Sequence, residues 1–266
     1  NIKVIGNDYL YNGWIEDMCW LNPTTLAIYP SKNSDEPIKT IQISSVTEHD
    51  VKGNVQVLGK CPHNGSASMI GAVNPTEDSE IGRLVTGGYD HKAYLWTVRR
   101  KSATEGYIVD ERTELNVKHT SSLSAFSYNS YNNSIVIGGQ DERLSVLDLA
   151  TNTVLQSNRS TGRISQLIQD TQNPNIQIVV RQLTSDQFQV YDSREPEQSG
   201  TKLRFGQNES ENLSRYVRAD LHRNGYMYGY LRTQNSQHHF HTWTRFGGDN
   251  RFPKDIELVG LLCKKR

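Results

Sequence analysis

Cysteine is nearly missing from this chain. Only Cys19, Cys61 and Cys263 occur among 266 residues, far apart and with no C-x-x-C spacing. An odd, scattered set argues against a disulfide framework or a zinc knuckle and favours a reducing compartment, nucleus or cytoplasm. No apolar run approaches about 18 residues, so no helix of membrane-spanning length is expected. Net charge is missing too, with 29 Lys and Arg against 29 Asp and Glu. The molecule as a whole therefore offers no electrostatic case for nucleic acid or a membrane surface. A basic excess from Arg194 onward, 13 Lys and Arg against 8 Asp and Glu, is the one motive for nucleic acid. The opening NIKVIGNDYL has neither the pattern of a signal peptide nor an initiating Met. The expectation is a single domain, residues 1–266, excised from a longer chain.

Signatures of common enzymes are lacking as well. There is no G-x-x-x-x-G-K-[ST] phosphate loop, no G-x-S-x-G nucleophile elbow and no H-E-x-x-H zinc helix. One dense histidine cluster, Gln237-His238-His239-Phe240-His241, is present. On a strand His239 and His241 share a face, which leaves open a metal-assisted hydrolytic enzyme using His238, His239 or His241. A third ligand is not evident, and the reading is no metal, no cofactor and no catalysis.

What the chain does contain is repetition. LVTGGYDHKAYLW at 84–96 returns as IVIGGQDERLSVL at 135–147. Each phrase reads as a β-hairpin: a strand, a Gly-Gly pair that lets backbones pass closely, a tight turn around Asp90 or Asp141, and a return strand. Histidines precede both, at His63 and His119, followed by the strands Ala67–Val73 and Leu123–Tyr128. Looser copies start at Ile15, Ile164 and Tyr216. Five units are visible, and their third strands end near Ile43, Trp96, Leu147, Tyr191 and Trp243. Short strands repeating at this period predict an all-β propeller, since one small sheet with two apolar faces needs a neighbour on each side. Residues 1–12 and 252–266 are expected to supply strands of one more blade, for six or seven in all.

The phrase L-V-T-G-G-x-D-x-x-x-x-L-W resembles the WD-repeat family. The resemblance implies a hydrogen-bonded tetrad of His63, Thr86, Asp90 and Trp96. In the next blade it implies His119 and Asp141, with Ile137 and Leu147 in place of the hydroxyl and the indole. It further implies a non-catalytic protein-interaction scaffold. Tyr191-Asp192-Ser193-Arg194 resembles the W-D-x-R box of propeller substrate receptors of cullin-RING ubiquitin ligases. There the Arg pairs with a ubiquitin-ligase adaptor through its rigid fork. Tyr replaces Trp, and Asp186 to Tyr191 spans five positions where Asp90 to Trp96 spans six. A local Asp192–Arg194 salt bridge is the plainer reading of the same residues. A chromatin-bound propeller holding a histone peptide in its central funnel is the alternative function.

Overall fold

The computed structural model describes residues 15–30, 36–46, 51–75, 80–102, 106–170, 173–192, 194, 203–207, 219–221, 227–231, 240–244 and 258–261. Among them every regular element is a strand. Blade 1 comprises β1 (Ile15–Asn22), β2 (Thr25–Pro30), β3 (Ile38–Val46) and β4 (Val51–Gly59). Blade 2 comprises β5 (Ala67–Val73), β6 (Ile81–Gly88), β7 (Ala93–Ser102) and β8 (Gly106–Glu114). Blade 3 comprises β9 (Leu123–Asn129), β10 (Ser134–Gly139), β11 (Arg143–Asp148) and β12 (Thr153–Arg159). Blade 4 comprises β13 (Ile164–Gln169), β14 (Ile176–Arg181), β15 (Ser185–Asp192) and β16 (Arg204–Gln207). Each is a four-stranded antiparallel meander in chain order, and the four are arranged as propeller blades. A further meander follows from β17 (Ala219–Leu221), β18 (Met227–Leu231), β19 (Phe240–Thr244) and β20 (Leu258–Leu261).

Burial explains the hydropathy along each blade. In blade 3 every residue of β10 is buried, while β12 is largely exposed. A second strand covered on both faces reads as an unbroken Ile-Val-Ile run, whereas the outermost strand meets water and alternates poorly. Both faces of a blade are apolar, and neighbours cover one another. Tyr29 and Ile38 of blade 1 pack with Leu84 and Trp96 of blade 2. Val85 and Ala93 of blade 2 pack with Ile135 and Leu147 of blade 3. Val136 and Leu144 of blade 3 meet Val179 and Tyr191 of blade 4. Val180 and Phe188 of blade 4 meet Ala219 of β17.

The innermost strands share a device that their sequences do not advertise. Each begins with a register slip, between Ile15 and Asp17, Ala67 and Met69, Leu123 and Ala125, and Ile164 and Gln166. The extra residue is Glu16, Ser68, Ser124 or Ser165, and in blades 1 to 3 this β-bulge turns a polar side chain toward the next blade, whereas Ser165 Oγ donates to the Val180 carbonyl of its own blade at 3.2 Å. Ser68 Oγ donates to the Leu123 carbonyl, and Ser124 Oγ to the Ile164 carbonyl. The residue after the bulge does similar work: Asp17 accepts the Ile70 N–H at 3.0 Å. Gln166 exchanges two bonds of 2.8 Å with the Ala219 backbone.

The Gly-Gly pair is explained by side chains rather than by passing backbones. A Cβ on Gly87 would lie 2.8 Å from Leu123 Cβ of the next blade. A Cβ on Gly88 would lie 2.2 Å from His63 Nδ1 and 2.3 Å from Asp90 Oδ1. One glycine sets the spacing between blades, and the other leaves room for a histidine and its carboxylate. Of the expected extra strands, residues 1–12 lie outside the described residues, and of 252–266 only β20 is described.

Candidate functional site

Because each sheet is a meander, the turns between second and third strands share one end of the blade with the entry to the first. His63 and Asp90 meet there, at what we call the upper end. His63 Nδ1 lies 2.9 Å from Asp90 Oδ1, and His63 Nε2 lies 3.0 Å from Thr86 Oγ1. Trp96 Nε1 donates to Thr86 Oγ1 at 3.0 Å. An ionised carboxylate only accepts, so His63 Nδ1 carries the proton. Nε2 then accepts from Thr86, which accepts from Trp96. The bonds run in one direction from indole to carboxylate. Burial pushes the Asp90 carboxyl up, but bonds from His63 and from the Asn64 and Lys92 N–H groups outweigh it and leave it below the usual carboxylate range. Arg112 on β8 covers the outer side, its guanidinium carbon 5.4 Å from the Trp96 ring centroid.

Blade 3 repeats the pair and corrects the reading of its third member. His119 Nδ1 lies 3.0 Å from Asp141 Oδ1, and the Thr120 N–H donates to Asp141 Oδ2 at 2.8 Å. The hydroxyl is not lost with Ile137. Ser145 Oγ lies 3.1 Å from His119 Nε2. Thr86 pairs across the strands with Tyr94, and Ile137 pairs with Ser145. The hydroxyl has moved to the directly opposite position, where it reaches the same nitrogen. Leu147 does occupy the place of Trp96, so the network ends at Ser145.

Blade 4 solves the same corner differently. Register places Arg181 where Gly88 and Gly139 stand in the two preceding blades. Its side chain fills the hollow that the histidine and carboxylate occupy elsewhere. It is 1 % exposed and donates to Thr161 Oγ1 and to the Asp186 carbonyl. Burial lowers its pKa below the ordinary guanidinium value, with Arg204 adding to the effect. Asp186 is therefore not the counterpart of Asp90. It has φ 53°, as His91 has 68° and Glu142 has 64°. Tyr191 follows Asp186 by five positions, as Trp96 follows His91, and the apparent change of spacing disappears. The stretch between the last paired residues is what has grown, Val180 to Phe188 against Gly87 to Ala93 in blade 2.

At the lower end, Asp192 and Arg194 are paired. Asp192 Oδ1 accepts the Arg194 backbone N–H at 3.0 Å and Nε at 2.9 Å, and Oδ2 accepts Nη2. The Arg194 side chain is 60 % exposed and that of Asp192 10 %. Tyr191 is buried, and its hydroxyl donates to Gln156 Oε1 at 2.8 Å. Burial pushes that phenol up to about 12.

A cavity of about 520 Å³ lies between the innermost strands, walled by residues of β1, β5, β9 and β13. Glu16 and Asp17 supply two carboxylates, Gln166 an amide, and Met18, Ile70 and Phe126 apolar surface. Glu16 Oε1 accepts the Tyr89 hydroxyl at 2.9 Å. Sequence reasoning placed none of these in a site, because residues about fifty positions apart meet only when the blades do. Among the described residues no group of three His, Cys, Asp or Glu is placed to hold a metal ion. His238 and His239 lie outside the described residues, and His241 is described only as backbone of β19. No protein-family model matches the chain, and no curated protein matches it.

Proposed function

We propose that the chain is a WD-repeat propeller of five or more blades that serves as a non-catalytic protein-interaction subunit, with its ligand site in the axial cavity. The observation that carries this reading is the cavity wall. Two carboxylates beside aliphatic and aromatic surface suit a lysine or arginine side chain, whose stem packs while its head pairs with acid. A basic peptide of the histone-tail kind is the ligand class. The test is calorimetric titration of a histone H3 tail peptide. Binding that weakens at least tenfold in Glu16→Gln supports the reading; no binding by the parent protein, or equal binding by the variant, defeats it.

A second reading rests on the opposite end. Arg194 is exposed and held by Asp192, so partner carbonyl or carboxylate groups can reach an oriented guanidinium. That arrangement supports a substrate receptor of a cullin-RING ubiquitin ligase, docked through its lower rim while the cavity faces the substrate. Arg194→Ala and Arg194→Glu should abolish co-purification with the ligase adaptor. Unchanged co-purification, or none with the parent protein, would remove this reading without touching the first.

A further inference from the structure

Blades 2 and 3 fill one corner with an anion, and blade 4 does not. Asn64 and Thr120 each stand three residues before the first strand of their blade. Their N–H groups donate to a carboxylate oxygen, that of Asp90 or Asp141. β13 starts at Ile164, so Thr161 holds the same place in blade 4, and Ser160 stands where His63 and His119 do. Here the corner holds a cation instead. Arg181 Nη1 and Nη2 go to the Thr161 hydroxyl and the Asp186 carbonyl, and Nε is buried without a partner. None of the ion pairs among the described residues includes Arg181. Burial and then Arg204 hold its pKa below the ordinary value, and attraction by the Asp186 carboxylate does not restore it. A guanidinium buried with neutral acceptors alone is destabilising. Thr161 itself is exposed, as are Arg159 and Arg163 on either side of it, whereas the Ser160 hydroxyl is buried.

We infer that Thr161 is a phosphorylation site and that its phosphate pairs with Arg181. A protein kinase supplies the group from a nucleoside triphosphate. Thr161 Oγ1 attacks the terminal phosphorus, and the new O–P bond forms as the bond to the bridging oxygen breaks. The nucleoside diphosphate leaves with that electron pair, and the hydroxyl proton passes to the kinase. The product carries a charge of about −2 at neutral pH and three strong acceptor oxygens. Those oxygens serve Nη1 and the unpartnered Nε by charge-assisted hydrogen bonds. Any other anion, from solution or from another segment of chain, must displace Thr161 to reach a side chain that is 1 % exposed. A phosphate on Thr161 is delivered by the very group that touches the guanidinium. The Gln182 N–H already donates to the Arg163 carbonyl at 2.8 Å. The added pair therefore fastens the link between β12 and β13 to the end of β14, and tightens the junction of blades 3 and 4.

The test has two arms. The whole chain is purified from cells that express it, with phosphatases inhibited, and fragment mass spectrometry should find phosphate on Thr161 and not on Ser160. Phosphothreonine is then installed at position 161 by codon expansion, and the phosphorus resonance is titrated with acid. In urea the second ionisation should fall at about 6. In the folded chain it should fall about one pH unit lower, because a neighbouring guanidinium favours the doubly ionised form. Arg163→Gln changes only an exposed side chain and should keep most of that difference. No phosphate on Thr161 in the cellular protein overturns the inference. So does an equal midpoint in urea and in buffer, or a difference that vanishes in Arg163→Gln. A chain that phosphothreonine unfolds, seen as a lost near-ultraviolet circular dichroism signal, overturns it too. None of these outcomes bears on the peptide titration of the axial cavity.

Discussion

In blades 2 and 3 a buried histidine holds its proton on Nδ1, against a carboxylate, and accepts a hydroxyl proton on Nε2. Cutting either bond leaves a buried polar atom without a partner. Asp90→Ala and Ser145→Ala should each cost about 1–3 kcal/mol, read as a lower denaturation midpoint in urea. An unchanged midpoint for Ser145→Ala would show that its hydroxyl does not serve His119. The pH dependence has a definite sign. Burial holds His119 below its ordinary value of 6.5, outweighing the pull of Asp141. Its contribution is complete above that value and declines as pH falls below it, because the unfolded chain takes up a proton that the native ring refuses. Burial raises the Asp90 and Asp141 carboxyls, but their hydrogen bonds bring both below 3.8. Their contribution is complete above 3.8 and is lost as pH falls through the lowered native values. The melting temperature should therefore drop in two stages, and His119→Gln should remove the upper one. Thr86, Asp90 and Trp96 were legible because their spacing is written in one phrase, and His63 because a histidine precedes the first strand of both blades. Ser145 was not, since a hydroxyl moved across a strand pair is visible only once the register is known.

Each glycine pair and each bulge sets how one strand meets the next. Gly88→Ala would drive a methyl into His63 and Asp90, and Gly139→Ala into His119 and Asp141. Overpacking of this kind costs about 1–3 kcal/mol. Gly87→Ala should cost a similar amount by a different route, since its methyl meets Met69 and Leu123 and separates blade 2 from blade 3. Differential scanning calorimetry distinguishes a real loss from an indifferent substitution in each case. The hairpins were legible from Gly-Gly and Asp, and the strands from their apolar runs. The longer stretch between the paired residues Val180 and Phe188 was not, and it made Asp186 look like a turn carboxylate. Arg181 was invisible for a related reason: an arginine ending a strand reads as a solvated edge until register places it at a glycine position.

Among the described residues blades 1 to 4 stand in succession, each packing an apolar face on the next. The period and the paired faces made that architecture legible. The axial cavity was not, because Glu16, Ile70, Phe126 and Gln166 come from four separate units and meet only at the axis. The stacking itself is tested most directly at the closest approach between two inner strands. A Cβ at Gly71 of β5 would lie 2.1 Å from Phe126 Cδ1 of β9, so the ring rests on the Gly71 α-carbon. In protein labelled at Gly and Phe, the nuclear Overhauser spectrum should show a strong cross-peak between the Gly71 α-protons and the Phe126 ring, with the α-protons shifted upfield. A folded sample without that cross-peak would contradict the packing of blade on blade.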